Sequence, residues 1–249
     1  MPPKPLFEEL DHRQTPLGDL ILRRRTMTSL DNLDVHEIIL GNGYLMSSLF
    51  TVVEVALSKL GLGAAADAST DGKLDVVVGG LGLGYTARAA LENPAVRDLL
   101  VVDYLAPVIE WHEKGLVPLG PELTSDPRCR FVLGDFFKRA LPEPGEPGFD
   151  ADRPDRRFHA VLLDIDHSPA NLIHERHGVF YQQEGLQRLA GNLHPGGVFA
   201  LWSDDPPEEG FMANLNTVFA TCESHVVKFH NPLLERDSAS TVYVAKTHH

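Results

Sequence analysis

The stretch DVVVGGLGLGYTARAAL, from Asp75 to Leu91, joins an apolar run to an alanine-rich segment through a turn with four glycines in six residues. The apolar half predicts a buried parallel strand and the second half a helix. So many glycines at one turn mark a main chain that something approaches closely. Gly80, Gly82 and Gly84 are the candidates for that contact. The dinucleotide pattern G-x-G-x-x-G would need glycine at position 85, and Tyr85 stands there. A phosphate loop would end in Gly-Lys-Ser/Thr, and this turn does not. Two readings remain: a nucleoside-like ligand that needs no phosphate clamp, or glycines that serve packing alone.

From Asp75 onward, strand and helix patterns alternate. DVVVGG, RDLLVVDY, CRFVLGD, FHAVLLDID and VFALWS read as strands. YTARAALENP, APVIEWHEKGL, FFKRAL, YQQEGLQRLAGNL and EEGFMANLNTVFA read as the helices between them, and SHVVKFHN with STVYVAK closes the sheet. This alternation predicts an α/β class: a Rossmann-like, doubly wound, mainly parallel sheet of seven strands. Upstream, residues 1–14 read as a poorly ordered arm. Turn residues at Pro16-Leu17-Gly18 and Gly41-Asn42-Gly43 predict a small β-hairpin appendage. LFTVVEVALSKLGLG predicts a linking helix ended by Gly61 or Gly63. The expected division is 1–62 for arm, hairpins and helix, and 63–249 for the nucleoside-binding domain.

The net charge of −13 argues against a nucleic-acid partner, which calls for a basic face. Two distant cysteines, Cys129 and Cys222, fit a reducing cytoplasm and give no zinc or disulfide pattern. No apolar stretch is long enough for a membrane span, and the first residues do not read as a secretion signal. A cytoplasmic location is expected. The basic run Arg23-Arg24-Arg25 reads as a solvated strand edge.

Asp103 ends the second strand of the alternating region, about 20 residues beyond the glycines, where a carboxylate can accept hydrogen bonds from ribose hydroxyls. Gly134-Asp135 ends the third, followed by Phe136, which could flank a nucleobase. These positions share the carboxyl rim of neighbouring strands, where open α/β sheets bind ligands. Asp164, Asp166 and His167 follow the fourth strand. A carboxylate there could remove a proton from an acceptor and attract a cationic amine. His174 and His177 have i, i+3 spacing but no third ligand, and no metal is expected. The acidic stretch after the fifth strand, Asp204 to Glu209, reads first as a solvated loop and second as the border of an amine pocket. Phe137 and Trp202 read as core.

DVVVGGLGLGYTA, VVDYLAPVIEWHEKGLVPLGPEL, DPRCRFVLGDFF, FHAVLLDID and FYQQEGLQRLAGNLHPGGVFALW follow one another as in the spermidine synthase-like branch of the S-adenosylmethionine-dependent, methyltransferase-fold superfamily. The resemblance spans about 75–245. It implies that Gly80, Gly82 and Gly84 lie under a sulfonium nucleoside, Asp103 holds the ribose and Asp135 the adenine amino group. It implies Asp164 as catalytic base, with Asp166 the second candidate. The chain departs from that family's pattern at Gly82, where the family has an aspartate, and at His167, where it has a second aspartate. The family's Tyr-His-Glu has no clear counterpart, Glu54 being the nearest acid. The implied cofactor is S-adenosylmethionine or its decarboxylated form, and the implied acceptor a small molecule such as a cationic amine. The apolar hairpins are plausible homodimer surface. Three functions stay open: aminopropyl transfer, methyl transfer on the same fold, and non-catalytic nucleoside binding.

Overall fold

The structure is a computed structural model and describes residues 5–143 and 145–249. Strands β1 (Phe7–Thr15), β2 (Gly18–Met27), β3 (Leu33–Leu40) and β4 (Gly43–Ser47) form an antiparallel four-stranded meander. Helix α1 (Val52–Ala64) connects it to a second sheet. There follow β5 (Leu74–Gly79), α2 (Tyr85–Leu91), β6 (Val96–Asp103), α3 (Ala106–Glu113), α4 (Gly120–Ser125), β7 (Cys129–Leu133), α5 (Phe136–Ala140) and β8 (Phe158–Leu163). The chain closes with α6 (Gln183–Gly191), β9 (Leu193–Ser203), α7 (Glu209–Val218), β10 (Thr221–Asn231) and β11 (Arg236–Lys246).

The second sheet has seven strands in the order β10-β11-β9-β8-β5-β6-β7. Strands β5 to β9 run parallel, and β11 and β10 add antiparallel to β9 and to each other. The doubly wound, mainly parallel sheet is as expected. Every residue of β5 and β8 is buried, which explains their unbroken apolar runs. The strand order reverses beside β5, so the crevice at the carboxyl ends of β5, β6 and β8 is the natural ligand site. No helix of the described residues is long and apolar enough to cross a membrane.

Three expectations need correction. Residues 1–4 lie outside the described residues, but Phe7–Thr15 is strand rather than loose arm. Its charged side chains find partners: Glu8 pairs with Arg24 at 2.8 Å, and Asp11 accepts the Trp111 indole N–H at 2.7 Å. For the same reason the arginine run is no solvated edge. Strand β2 is central to its sheet, Arg24 is buried, and Arg23 and Arg25 each reach the buried Glu37 at 2.7 Å. Gly61 and Gly63 lie inside α1 rather than after it. A Cβ on Gly61 would stand 2.6 Å from Leu162 Cδ2, so this glycine lets α1 press onto β8. By packing, α1 belongs with the large sheet. One apolar layer joins Leu20, Leu22 and Ile38 to α1, α2 and α3, and an aromatic-rich layer fills the other face under α5, α6 and α7.

Candidate functional site

A cavity of about 800 Å³ opens at the switch point. The turn after β5, the carboxyl ends of β6 and β8, the start of α5, segment 165–177, β4, the first turns of α1 and the β10–β11 hairpin all contribute to its wall. Its size suits a ligand larger than one nucleoside.

At the turn, Gly80 has φ +92° and Gly82 φ +50°, left-handed values that favour glycine. A Cβ on Gly80 would stand 2.1 Å from the Asp164 carbonyl oxygen. At Gly82 it would stand 2.6 Å from Met46 Sδ, the atom toward which the Leu83 N–H points at 3.1 Å. Backbone packing excludes a side chain at Gly80, whereas at Gly82 the neighbour is a flexible methionine and the positive φ is the constraint; both glycines also line the cavity. Gly84, expected beside the ligand, is outside the lining. It is the N-cap of α2, with Leu123 and His112 filling the space beside it.

Asp103 is buried beneath the turn. Its Oδ2 accepts the Leu81 N–H at 2.9 Å and its Oδ1 the Leu105 N–H at 2.8 Å. Burial raises its pKa, and the N–H groups of Leu105, Leu81 and Gly82 oppose that rise. The carboxylate thus shapes the turn and still faces the cavity. Asp135 caps α5 by accepting the Phe137 and Lys138 N–H groups at 3.0 and 3.2 Å, and pairs with Arg176 at 3.1 Å. Phe136 is 1% exposed, lodged in the aromatic layer, and forms floor rather than a free stacking face.

Asp164 lies at the cavity wall and accepts the Thr86 hydroxyl at 2.7 Å. Thr86 is placed in turn by Ser58, whose hydroxyl donates to its carbonyl at 2.7 Å. Glu54, from the first turn of α1, shares this wall and is 8% exposed. Burial and the Asp164 charge push Glu54 up to about 8. Burial pushes Asp164 up to about 6, against the Thr86 hydrogen bond. Near neutral pH, two such coupled carboxyls hold a proton between them. A pair of this kind can accept a proton or bind a cation.

Asp166 is placed elsewhere. It is 1% exposed and outside the cavity lining. It accepts the Ile173 N–H at 2.8 Å and the Tyr181 hydroxyl at 2.8 Å, and meets His177 Nδ1 at 2.9 Å. Every acceptor position faces protein, so this carboxylate anchors the 165–182 crossover and does not reach a reacting atom. His177 is thereby committed to Asp166 and stacks on Phe137 with centroids 3.9 Å apart. His167 does line the cavity.

Several lining residues carried no sequence signal. Met46 and Tyr85 flank the glycine turn, and Tyr104 and Arg176 its β6 side. Asp204 lines the wall with Trp202 and Ser240, so part of the acidic stretch is site rather than solvated loop. The Trp202 indole N–H is buried without a hydrogen-bond partner. A cradle of close-packed glycine backbone, two rim carboxylates and unused polar donors fits a sulfonium nucleoside.

No family model matches the chain. A curated relative, polyamine aminopropyltransferase 2 of Pseudomonas aeruginosa, is 29% identical over 161 residues, 61% of this chain. The matched part spans only 41% of that relative's length. Among solved structures, the spermidine synthase of Thermotoga maritima superposes with a TM-score of 0.69 at 15% identity, covering 96% of this chain and 72% of that one. A spermidine synthase in complex with the transition-state analogue AdoDATO gives the same values. A probable spermidine synthase from Corynebacterium glutamicum gives 0.61 at 17% identity, over 98% and 81%. The expected fold and the resemblance are borne out.

Proposed function

We propose that this chain is a transferase that moves an aminopropyl group from decarboxylated S-adenosylmethionine to a small amine. The observation that carries this reading is the buried Glu54–Asp164 pair in a cavity that also holds the nucleoside carboxylates Asp103 and Asp135. When bound, the donor supplies an alkyl carbon activated by positive sulfur and departs as a neutral thioether. In this reading Asp103 takes the ribose hydroxyls and Asp135 the base. Asp164, oriented by Thr86, takes the proton that the amine sheds as its new C–N bond forms. Glu54 holds the one proton of the pair near neutral pH, which leaves Asp164 the ionised member that attracts the cationic amine. Asp204, also in the lining, is a second carboxylate for the far end of a diamine. Segments β4, α1 and the β10–β11 hairpin supply the wall on the acceptor side, with Leu45, Val53 and Phe229 among its apolar residues.

A second reading, methyl transfer from S-adenosylmethionine itself, is favoured by one observation. The thioether of Met46 stands over Gly82, so the turn offers no carboxylate to a donor ammonium and no repulsion to a donor carboxylate. One assay separates the readings. The protein is incubated with each donor and a set of linear diamines, and the nucleoside product is identified by mass spectrometry. Methylthioadenosine from the decarboxylated donor is the expected outcome. S-adenosylhomocysteine from the carboxylated donor would establish methyl transfer. Tight binding of both donors without turnover would leave a nucleoside-binding protein.

A further inference from the structure

Arg176 belongs to the 3-10 turn Glu175–Val179 in the crossover after β8. Its guanidinium carbon lies 5.7 Å from the centroid of the Tyr104 ring, and its Nη2 lies 3.1 Å from Asp135 Oδ2. Tyr104 follows Asp103 directly in the chain and is 40% exposed. Tyr104, Asp135 and Arg176 all line the cavity.

The backbone under Arg176 is fixed. The next residue, His177, is held by Asp166 at 2.9 Å and stacked on Phe137. The Arg176 N–H donates to His174 Nδ1 at 3.2 Å. The side chain is not fixed to the same degree. It is 50% exposed, and at such a site neither an ion pair nor a cation–π contact holds a side chain tightly. It can move while the turn stays.

The spacing shows why it must move. A flat base between two flat groups needs about 7 Å, twice the ~3.5 Å of van der Waals contact. The separation of 5.7 Å leaves no room for one. We propose that Arg176 is a lid residue of the purine subsite. Its guanidinium leaves the Tyr104 ring, keeps its pair with Asp135, and lies flat on the outer face of the base, which is held between Tyr104 and Arg176. Guanidinium is suited to this because it is planar and weakly hydrated, whereas an ammonium is a hydrated point. The proposal rests on the reading of the cavity as a sulfonium-nucleoside site.

Calorimetry with 5′-methylthioadenosine tests it on the wild type, Arg176→Ala, Arg176→Lys and Tyr104→Ala. Arg176→Ala and Tyr104→Ala should each weaken binding about three- to tenfold. Arg176→Lys keeps the charge but loses the plane, and should fall close to Arg176→Ala. In turnover assays, donor KM should rise by a larger factor than kcat falls. Melting temperatures of the variants serve as the folding control. Arg176→Ala binding as tightly as wild type overturns the proposal, and so does Arg176→Lys binding as tightly as wild type. A wild type that does not bind the nucleoside overturns the site reading itself and this proposal with it. That outcome is separate, because it appears before any variant is compared.

Discussion

At the scale of the residue, Glu54 and Asp164 are buried carboxyls that work against the stability of the fold. Glu54 has an ordinary pKa of 4.5 and is pushed up to about 8 in the folded chain. Folding therefore takes up a proton between those values, and stability falls as pH rises from about 4.5 to 8. Glu54→Gln removes this loss. The variant should match wild type in thermal stability at pH 4. At pH 8 it should gain about 1–3 kcal/mol, which is ~3–10 °C in Tm for a chain of this size. Scanning calorimetry at the two pH values checks it, and an equal shift at both would mean that Glu54 is not buried as a neutral acid. Asp164→Asn should lower kcat about 10²- to 10⁴-fold with donor affinity nearly unchanged, because it removes the base and leaves the nucleoside contacts. Wild-type kcat should rise with pH through the Asp164 value of about 6. A flat profile there would remove Asp164 from the proton transfer.

At the scale of the element, the crossover from β8 to α6 shows how a carboxylate can matter to a site without facing it. Asp166 collects Ile173, His177 and Tyr181 around one buried charge. Burial and the Asp166 charge push the Tyr181 phenol well up, which keeps it a donor. Asp166→Ala leaves those groups without a partner and should cost about 3–5 kcal/mol of stability. It should also raise donor KM, because the turn carrying Arg176 loses its anchor. Urea unfolding and steady-state kinetics measure the two effects. Loss of kcat alone, at full stability, would instead make Asp166 a catalytic acid. The β5–α2 turn carries the opposite lesson. Its glycines read from sequence as a ligand floor, and Gly80 and Gly82 do line the cavity. Yet the space beside each of Gly80, Gly82 and Gly84 is filled by the protein itself, at Asp164, Met46 and Leu123.

At the scale of the whole molecule, what the sequence revealed followed from local pattern. Apolar runs of β5, β6 and β8 announced a sheet covered on both faces, and the rim positions of Asp103 and Asp135 followed from strand order alone. Glu54 was legible only as the acid nearest to the missing Tyr-His-Glu, and its partnership with Asp164 joins residues far apart in the chain. Met46, Arg176 and Trp202 were not legible as lining residues, because each reaches the cavity only when distant segments meet, and Asp204 was legible only as a second reading of its acidic stretch. The cavity is the clearest such meeting. One end is built by β5, β6, α5 and the crossover, and the other by β4, α1 and the β10–β11 hairpin. Phe50 before α1 and Phe229 of β10 touch with centroids 5.7 Å apart, which ties the two walls of that second end together. Ligands should therefore protect the chain in two stages. A bound thioether nucleoside should slow amide exchange at 80–85, 103–105, 134–138 and 173–177. Adding a diamine should extend protection to 44–55 and 229–240, segments far from the first set in sequence. Local opening of those walls must cost more once both ligands hold them together, so their exchange reports the second ligand directly. Hydrogen exchange read by mass spectrometry distinguishes the stages. If the diamine adds protection only within the nucleoside segments, the acceptor does not occupy the space between the two sheets, and its assignment to the Glu54–Asp164 pair and Asp204 fails.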